Sequence, residues 1–148
     1  MRVAVPKLLL VLVLMLLLTE SQADDAVVLV TGSESLVSDV SSLDTRKAYL
    51  GIAVPVGGNT LRPFRRGEDE RLNLIFLQSV IAMSQKSYER RLLSMMLKFG
   101  MPRPVEVDSH EELVERLARN RYGIGYMWKV DADADSRVKI IRVLWQER

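Results

Sequence analysis

After an unbroken apolar run at residues 8–18, the chain shifts repeatedly between period-two and helical spacing of its apolar positions. Residues 26–31, AVVLVT, are continuously apolar and mostly β-branched, as in a strand covered on both faces. A polar break follows at 32–35. Residues 43–50 then predict a short helix that opens near Asp44, closes at Gly51 and turns Leu43, Ala48 and Tyr49 inward. Residues 52–56 predict a second strand, weakened at its end by Pro55. Residues 57–67, GGNTLRPFRRG, read as a loop by composition. Glu68, Asp69 and Glu70 suit the positive end of a helix dipole. From Leu72 to Met83 apolar residues cover so much of the circumference that this helix is expected to be central. Ser84 caps a further helix with Tyr88, Leu92, Met95, Met96 and Phe99 at helical spacing, ended by Gly100, Pro102 and Pro104, and residues 105–107 predict a short strand.

The most informative stretch is 109–128, SHEELVERLARNRYGIGYMW. Ser109 with Glu112 has the capping-box spacing that satisfies orphan N–H groups at a helix start. Leu113, Val114, Leu117 and Ala118 form one face, while Glu111, Glu115, Arg116 and Arg119 face water. Asn120 and Gly123 are expected to end the helix in left-handed conformations. Ile124, Tyr126 and Trp128 alternate with Gly125 and Met127, predicting a strand packed against that helix. The polar DADADS segment reads as a solvated hairpin loop before a last strand at 138–145. Strands alternating with helices predict an α/β fold with a mixed or parallel sheet.

Composition narrows the class. The chain has 148 residues, 48% of them hydrophobic and 27% charged, which fits one domain with a real core. A net charge of +2 is too balanced to imply nucleic acid, and the basic residues are not interleaved with exposed aromatics. Arg2 and Lys7, the apolar run and the small residues ending at Ala23 read as a secretory signal peptide cut after Ala23, leaving one domain at 24–148. The run is well short of the roughly 20 apolar residues a spanning helix needs, so no stable membrane insertion is expected after cleavage. Removing Arg2, Lys7 and Glu20 lowers the net charge by one. Without cysteine there is neither a lipid anchor on cysteine nor a disulfide, which suits a periplasmic or secreted protein of bacterial type.

Chemistry is sparse. His110, the single histidine, adjoins Ser109 on a helix, where neighbours do not face each other, so no nucleophilic pair forms. One histidine and no cysteine leave no zinc set, and no metal or cofactor is expected. Gly123 and Gly125 follow a helix instead of preceding one, unlike a nucleotide fingerprint. Asp131, Asp133 and Asp135 lack the glycine and distal glutamate of a calcium loop. Arg62, Arg65 and Arg66 remain: they sit in a glycine-bearing segment running into a helix, a place where guanidinium forks and N–H groups can converge on an oxyanion. Arg90, Arg91, Arg116, Arg119 and Arg121 read as ordinary exposed faces.

In order, VLVTGSESLVSDVSSLDTRKAYLG at 28–51, the paired helices of 62–104, and VDSHEELVERLARNRYGIGYM at 107–127 resemble the phosphate-type periplasmic substrate-binding proteins. The resemblance covers nearly all of residues 24–148. It implies a type II periplasmic-binding-protein fold: a three-layer α/β lobe with a mixed sheet flanked by helices, one of the two lobes that close on an oxyanion. It also implies a non-catalytic, transport- or sensing-associated role. On that reading Thr31 and Ser33 donate hydroxyls, Asn59 and Thr60 orient the ligand, and Arg62, Arg65 and Arg66 supply charge. The departure from the family lies at Arg65–Arg66–Gly67–Glu68–Asp69, where acids replace the hydroxyls of the phosphate binders. A carboxylate about 4 Å from a bound anion costs on the order of 1 kcal/mol or more. The alternative expectation is an envelope interaction module that uses the lobe as a scaffold for a protein partner or a homodimer, with an exposed apolar patch.

Overall fold

A computed structural model describes residues 25–148. The expected signal peptide at 1–23 lies outside the described residues. A five-stranded mixed sheet, in the order β5-β4-β6-β1-β7, separates two helical layers. β1 is Ala26–Gly32, β4 Arg62–Arg66, β5 Val105–Val107, β6 Gly123–Trp128 and β7 Val138–Gln146. β4 is parallel to β5 and β6, while β1 is antiparallel to β6 and β7.

The apolar run of β1 is explained by its two partners. Val27 and Leu29 enter one core and Val28 and Val30 the other, so that every side chain of the strand is buried. Above the first face lie α1 (Ser42–Tyr49), α2 (Glu70–Phe76, continued by a π-helical turn at Leu77–Ile81) and α3 (Gln85–Phe99). Tyr49, Phe76 and Tyr126 meet at the centre of this layer, with Phe76 and Tyr126 stacked at 3.8 Å and Tyr49 edge-on to both. On the second face α4 (His110–Arg119) sets Leu113, Val114 and Leu117 against Val28, Val30, Phe64 and Met127, beside the short α5 (Lys129–Asp133). Among the described residues the buried apolar side chains form two clusters, one on each face of the sheet. Among the described residues no helix is long and apolar enough to cross a membrane.

The cap of α4 forms as expected, Ser109 Oγ accepting from Glu112 N at 3.0 Å; Glu112 in return accepts from Asp108 N, one residue earlier than a capping box requires. α4 docks on the Gly125–Met127 side of β6, and Ile124 and Tyr126 face the opposite core. A Cβ at Gly125 would lie 2.6 Å from Leu113 Cδ1, which explains why a glycine, not a larger residue, alternates there. Other expectations change. Asn120 sits at φ −129°, and Gly123 has no positive φ. The DADADS hairpin is instead split, Asp131–Asp133 ending α5 and residues 134–136 turning into β7, and Leu43 is exposed. The strand foreseen at 52–56 shrinks to β2, Pro55–Val56, paired only with β3, Asn59–Thr60.

The largest correction concerns 57–67. This stretch holds the β2–β3 hairpin and then β4, an interior strand of the sheet. Its charges hid it: Phe64 enters the second core, and the buried Arg65 and Arg66 are paired, Arg65 with Glu89 of α3 and Arg66 with Glu68 just past the strand.

Candidate functional site

β4 carries one arginine at its amino end and two at its carboxyl end, and the two ends meet different surroundings. At the carboxyl end Arg65 is buried under α3. Its Nη1 lies 3.0 Å from Glu89 Oε1, and its guanidinium carbon stands 4.7 Å above the Tyr88 ring. Burial alone would lower its pKa, yet Tyr88 and Glu89 more than offset that and hold it raised. Arg66 is buried too, and Glu68 folds back to pair with it. The backbone N–H of Arg66 donates to the Tyr126 hydroxyl at 3.1 Å. The Glu106 carboxylate covers Gly67 so closely that a Cβ there would collide with it. Asp69 is committed as well: it caps α2 at Leu72 N and accepts from Trp128 Nε1 at 2.8 Å. This end of the sheet, from which helix α2 departs, is filled by the protein's own carboxylates.

The amino end is open. Arg62 is exposed, and its Nη1 donates to a neutral partner, Asn120 Oδ1, at 3.1 Å. Beside it the β2–β3 hairpin, the end of α1, the 101–105 segment and the end of α4 surround a cleft of about 750 Å³. Its floor and walls are mainly apolar, with Ile52, Leu61, Pro63, Met101 and Tyr122 contributing. Its polar groups are Asn59, Thr60, Asn120 and four arginines, Arg62, Arg103, Arg119 and Arg121. Among the described residues no carboxylate lines it. Arg103 is paired with Glu89. Among the described residues Arg119 and Arg121 have no carboxylate within ion-pair distance. The loop after β1 braces this edge, since Ser35 Oγ and Leu36 N both donate to the Arg121 carbonyl.

The structure therefore divides the residues expected at a site. Asn59, Thr60 and Arg62 come together in the cleft. Ser33 is exposed on the loop beyond β1 at the same edge of the sheet, its N–H bonded to the Arg137 carbonyl and its side chain outside the cleft lining. Thr31 is fully buried, and its hydroxyl donates to the Gly123 carbonyl at 2.7 Å, a strand-to-strand tie. Arg65 and Arg66 lie inside the protein with carboxylate partners. Arg119 and Arg121, which the sequence presents as an ordinary helix face, are the additions. The signal that marks them is a basic cluster flanking the end of α4 next to a tight turn.

No family model matches the chain, and no curated protein matches it. Solved structures do. An ABC-type phosphate transport receptor from Vibrio cholerae superposes with a TM-score of 0.57 at 16% identity, over 80% of this chain and 46% of that one. PstS from Borrelia burgdorferi gives 0.55 at 16% identity, over 80% of this chain and 47% of that one. The chain spans less than half the length of these neighbours. The likeness establishes the fold: a type II periplasmic-binding-protein-like lobe, with a mixed sheet flanked by helices on both faces.

Proposed function

We propose that the chain is an exported, solute-binding-like lobe that holds an anionic solute in the cleft at the amino end of β4, without catalysis. One observation carries this reading: Arg62, Arg119 and Arg121 converge there with Asn59 and Thr60 and without a neutralising carboxylate. Guanidinium forks match phosphate and carboxylate oxygens in geometry and charge, and Asn59 and Thr60 add donors to orient them. The phosphate receptors among the structural neighbours support an anionic class of solute.

The cleft is also larger and more apolar than a bare oxyanion requires, since cavities of roughly 300–1,000 Å³ hold drug-sized organic ligands. The solute is an oxyanion group carried on an organic body, which would rest on Ile52, Leu61, Met101 and Tyr122. Isothermal titration of the chain from Asp24 with inorganic phosphate, and with an aromatic phosphate monoester, tests this. The ester binds more tightly than phosphate, and both lose about tenfold or more in affinity with Arg119→Ala plus Arg121→Ala. Absence of heat with either compound at millimolar concentration sinks the proposal. Mass measurement of the chain recovered from the export compartment, expected to begin at Asp24, checks the signal peptide.

A further inference from the structure

Helix α3 presents an outer face that the fold does not use. Its buried line, Tyr88 and Leu92, continues to Phe99 after the core has ended, and Phe99 is left 68% exposed. On the opposite side Lys86, Arg90, Leu93 and Leu97 follow one another at spacings of four, three and four, a single line about 16 Å long on the solvent side. Leu97 is 74% exposed, and Leu93 and Met96 are exposed as well. Such a run of large apolar side chains on one helix end marks an interaction surface.

Charge says what kind of surface would cover it. Lys86, Arg90, Arg91 and Lys98 have no carboxylate within ion-pair distance among the described residues. The single acid of the helix, Glu89, is already occupied by Arg65 and Arg103. Alongside lies a shallow hollow of about 370 Å³ lined by Met83, Ser87, Arg90, Arg91 and Ser94. Two guanidinium groups beside two hydroxyls suit the oxygens of a phosphodiester. The arrangement is polarised: Lys86, Arg90, Arg91 and the hollow occupy the first part of the helix, and Leu97 and Phe99, with Lys98 between them, form its end. A convex helix with phosphate donors at one end and unpocketed apolar side chains at the other suits a deformable anionic lipid layer better than a shaped protein groove.

We infer that α3 docks the domain onto an anionic phospholipid surface. Arg90 and Arg91, with Ser87 and Ser94, hold a headgroup phosphate, while the end of the helix, with Leu97 on one side and Phe99 on the other, tips into the boundary between headgroups and acyl chains. The inference does not rest on the cleft, since none of these residues lines it.

Vesicle co-sedimentation of the chain from Asp24 tests it, using phosphatidylglycerol mixed into phosphatidylcholine and pure phosphatidylcholine as comparison. The protein sediments with the anionic vesicles only, less so as salt rises. Arg90→Glu plus Arg91→Glu weakens partitioning by about tenfold or more, and Leu97→Ser plus Phe99→Ser weakens it at every salt concentration. Circular dichroism confirms that the variants fold. Phe99→Trp supplies an independent readout: its emission shifts to the blue with anionic vesicles beyond any shift from Trp128 and Trp145. Failure to sediment, equal partitioning of both variant pairs with wild type, or an unshifted Phe99→Trp emission each overturns the inference. So does sedimentation equilibrium showing a dimer that buries Leu97 and Phe99 in place of lipid binding.

Discussion

The two ends of β4 make the sharpest contrast in this molecule. Arg62 opens into a cleft with other arginines, whereas Arg65 and Arg66, three and four residues on, are shut in by Glu89, Glu106 and Glu68. Charge on the side chain is the same in all three. What differs is whether another part of the chain brings a carboxylate. At the carboxyl end the arginines are structural: they let a charged strand sit inside a sheet because each charge is paired. At the amino end Arg62 meets only the neutral Asn120, and among the described residues no carboxylate lines the cleft beside it. In open α/β sheets ligands gather at the carboxyl ends of the strands. Here that end is filled from within and the opposite end is the one that opens into a cleft.

The largest effect expected from this contrast is on stability. Arg65→Ala removes the partner of Glu89 and the cation above Tyr88, and costs about 2–3 kcal/mol, toward the low side for a buried pair because Glu89 is partly exposed and keeps Arg103. Urea unfolding reads it as a lower midpoint at unchanged slope. The heat of anion binding in the cleft stays as in wild type. A cleft that lost its affinity in this variant would show that the two ends are one unit, and the contrast would fail.

Next comes the reverse substitution. Arg119→Ala with Arg121→Ala leaves unfolding within about 0.5 kcal/mol of wild type, because among the described residues neither side chain has an ion-pair partner to lose. Anion affinity drops by about tenfold, near 1.4 kcal/mol. Equal losses of stability and affinity would mean that these arginines hold the α4 end in place rather than a ligand.

These substitutions also mark how far the sequence could be read. The α4–β6 unit was legible because its signals are local: a cap at Ser109, apolar residues at helical spacing and an alternating strand within twenty residues. β1 was legible for the same reason. β4 was not, since Arg62-Pro63-Phe64-Arg65-Arg66 has no apolar alternation, and the groups that make it buryable, Glu89 and Glu106, come from α3 and β5. The site divided along the same line. Asn59, Thr60 and Arg62 were within reach because they neighbour one another in the chain. Arg119 and Arg121 join them only because β6 lies beside β4, a pairing between residues about sixty positions apart.

A smaller change turns one end of β4 toward the other. Glu68→Ala leaves Arg66 without its carboxylate, and Arg66 Nη1 already lacks a hydrogen-bond acceptor. The variant is about 1 kcal/mol less stable in phosphate-free buffer, because an unpaired buried cation is costly. Inorganic phosphate recovers part of that loss even when Arg119 and Arg121 are also alanine. Stability indifferent to phosphate in that triple variant would show that the sealed end is shaped for Glu68 alone.

The smallest effect is a pH dependence confined to the sealed end. Tyr126 stacks on Phe76, accepts from Arg66 N and donates to Asn73 Oδ1 at 3.1 Å. Burial pushes its pKa up from 10.0 to about 12, and burial raises Tyr49 as well. A phenol whose folded value is raised contributes stability that is complete below its unfolded value. That contribution is lost as pH climbs from 10 towards 12, because the unfolded chain ionises first. Wild type therefore weakens across this window, and tyrosinate absorbance rises only as the protein unfolds. Tyr126→Phe removes two hydrogen bonds and costs about 1 kcal/mol at neutral pH. Its unfolding midpoint then falls less steeply with alkali than that of wild type, since one of the shifted phenols is gone. The charges of the cleft are arginines, which keep their charge throughout, so anion affinity stays level up to the start of this window. An affinity that declined below this window, ahead of unfolding, would show that the arginine charges do not set binding at the open end and would erase the distinction between the two.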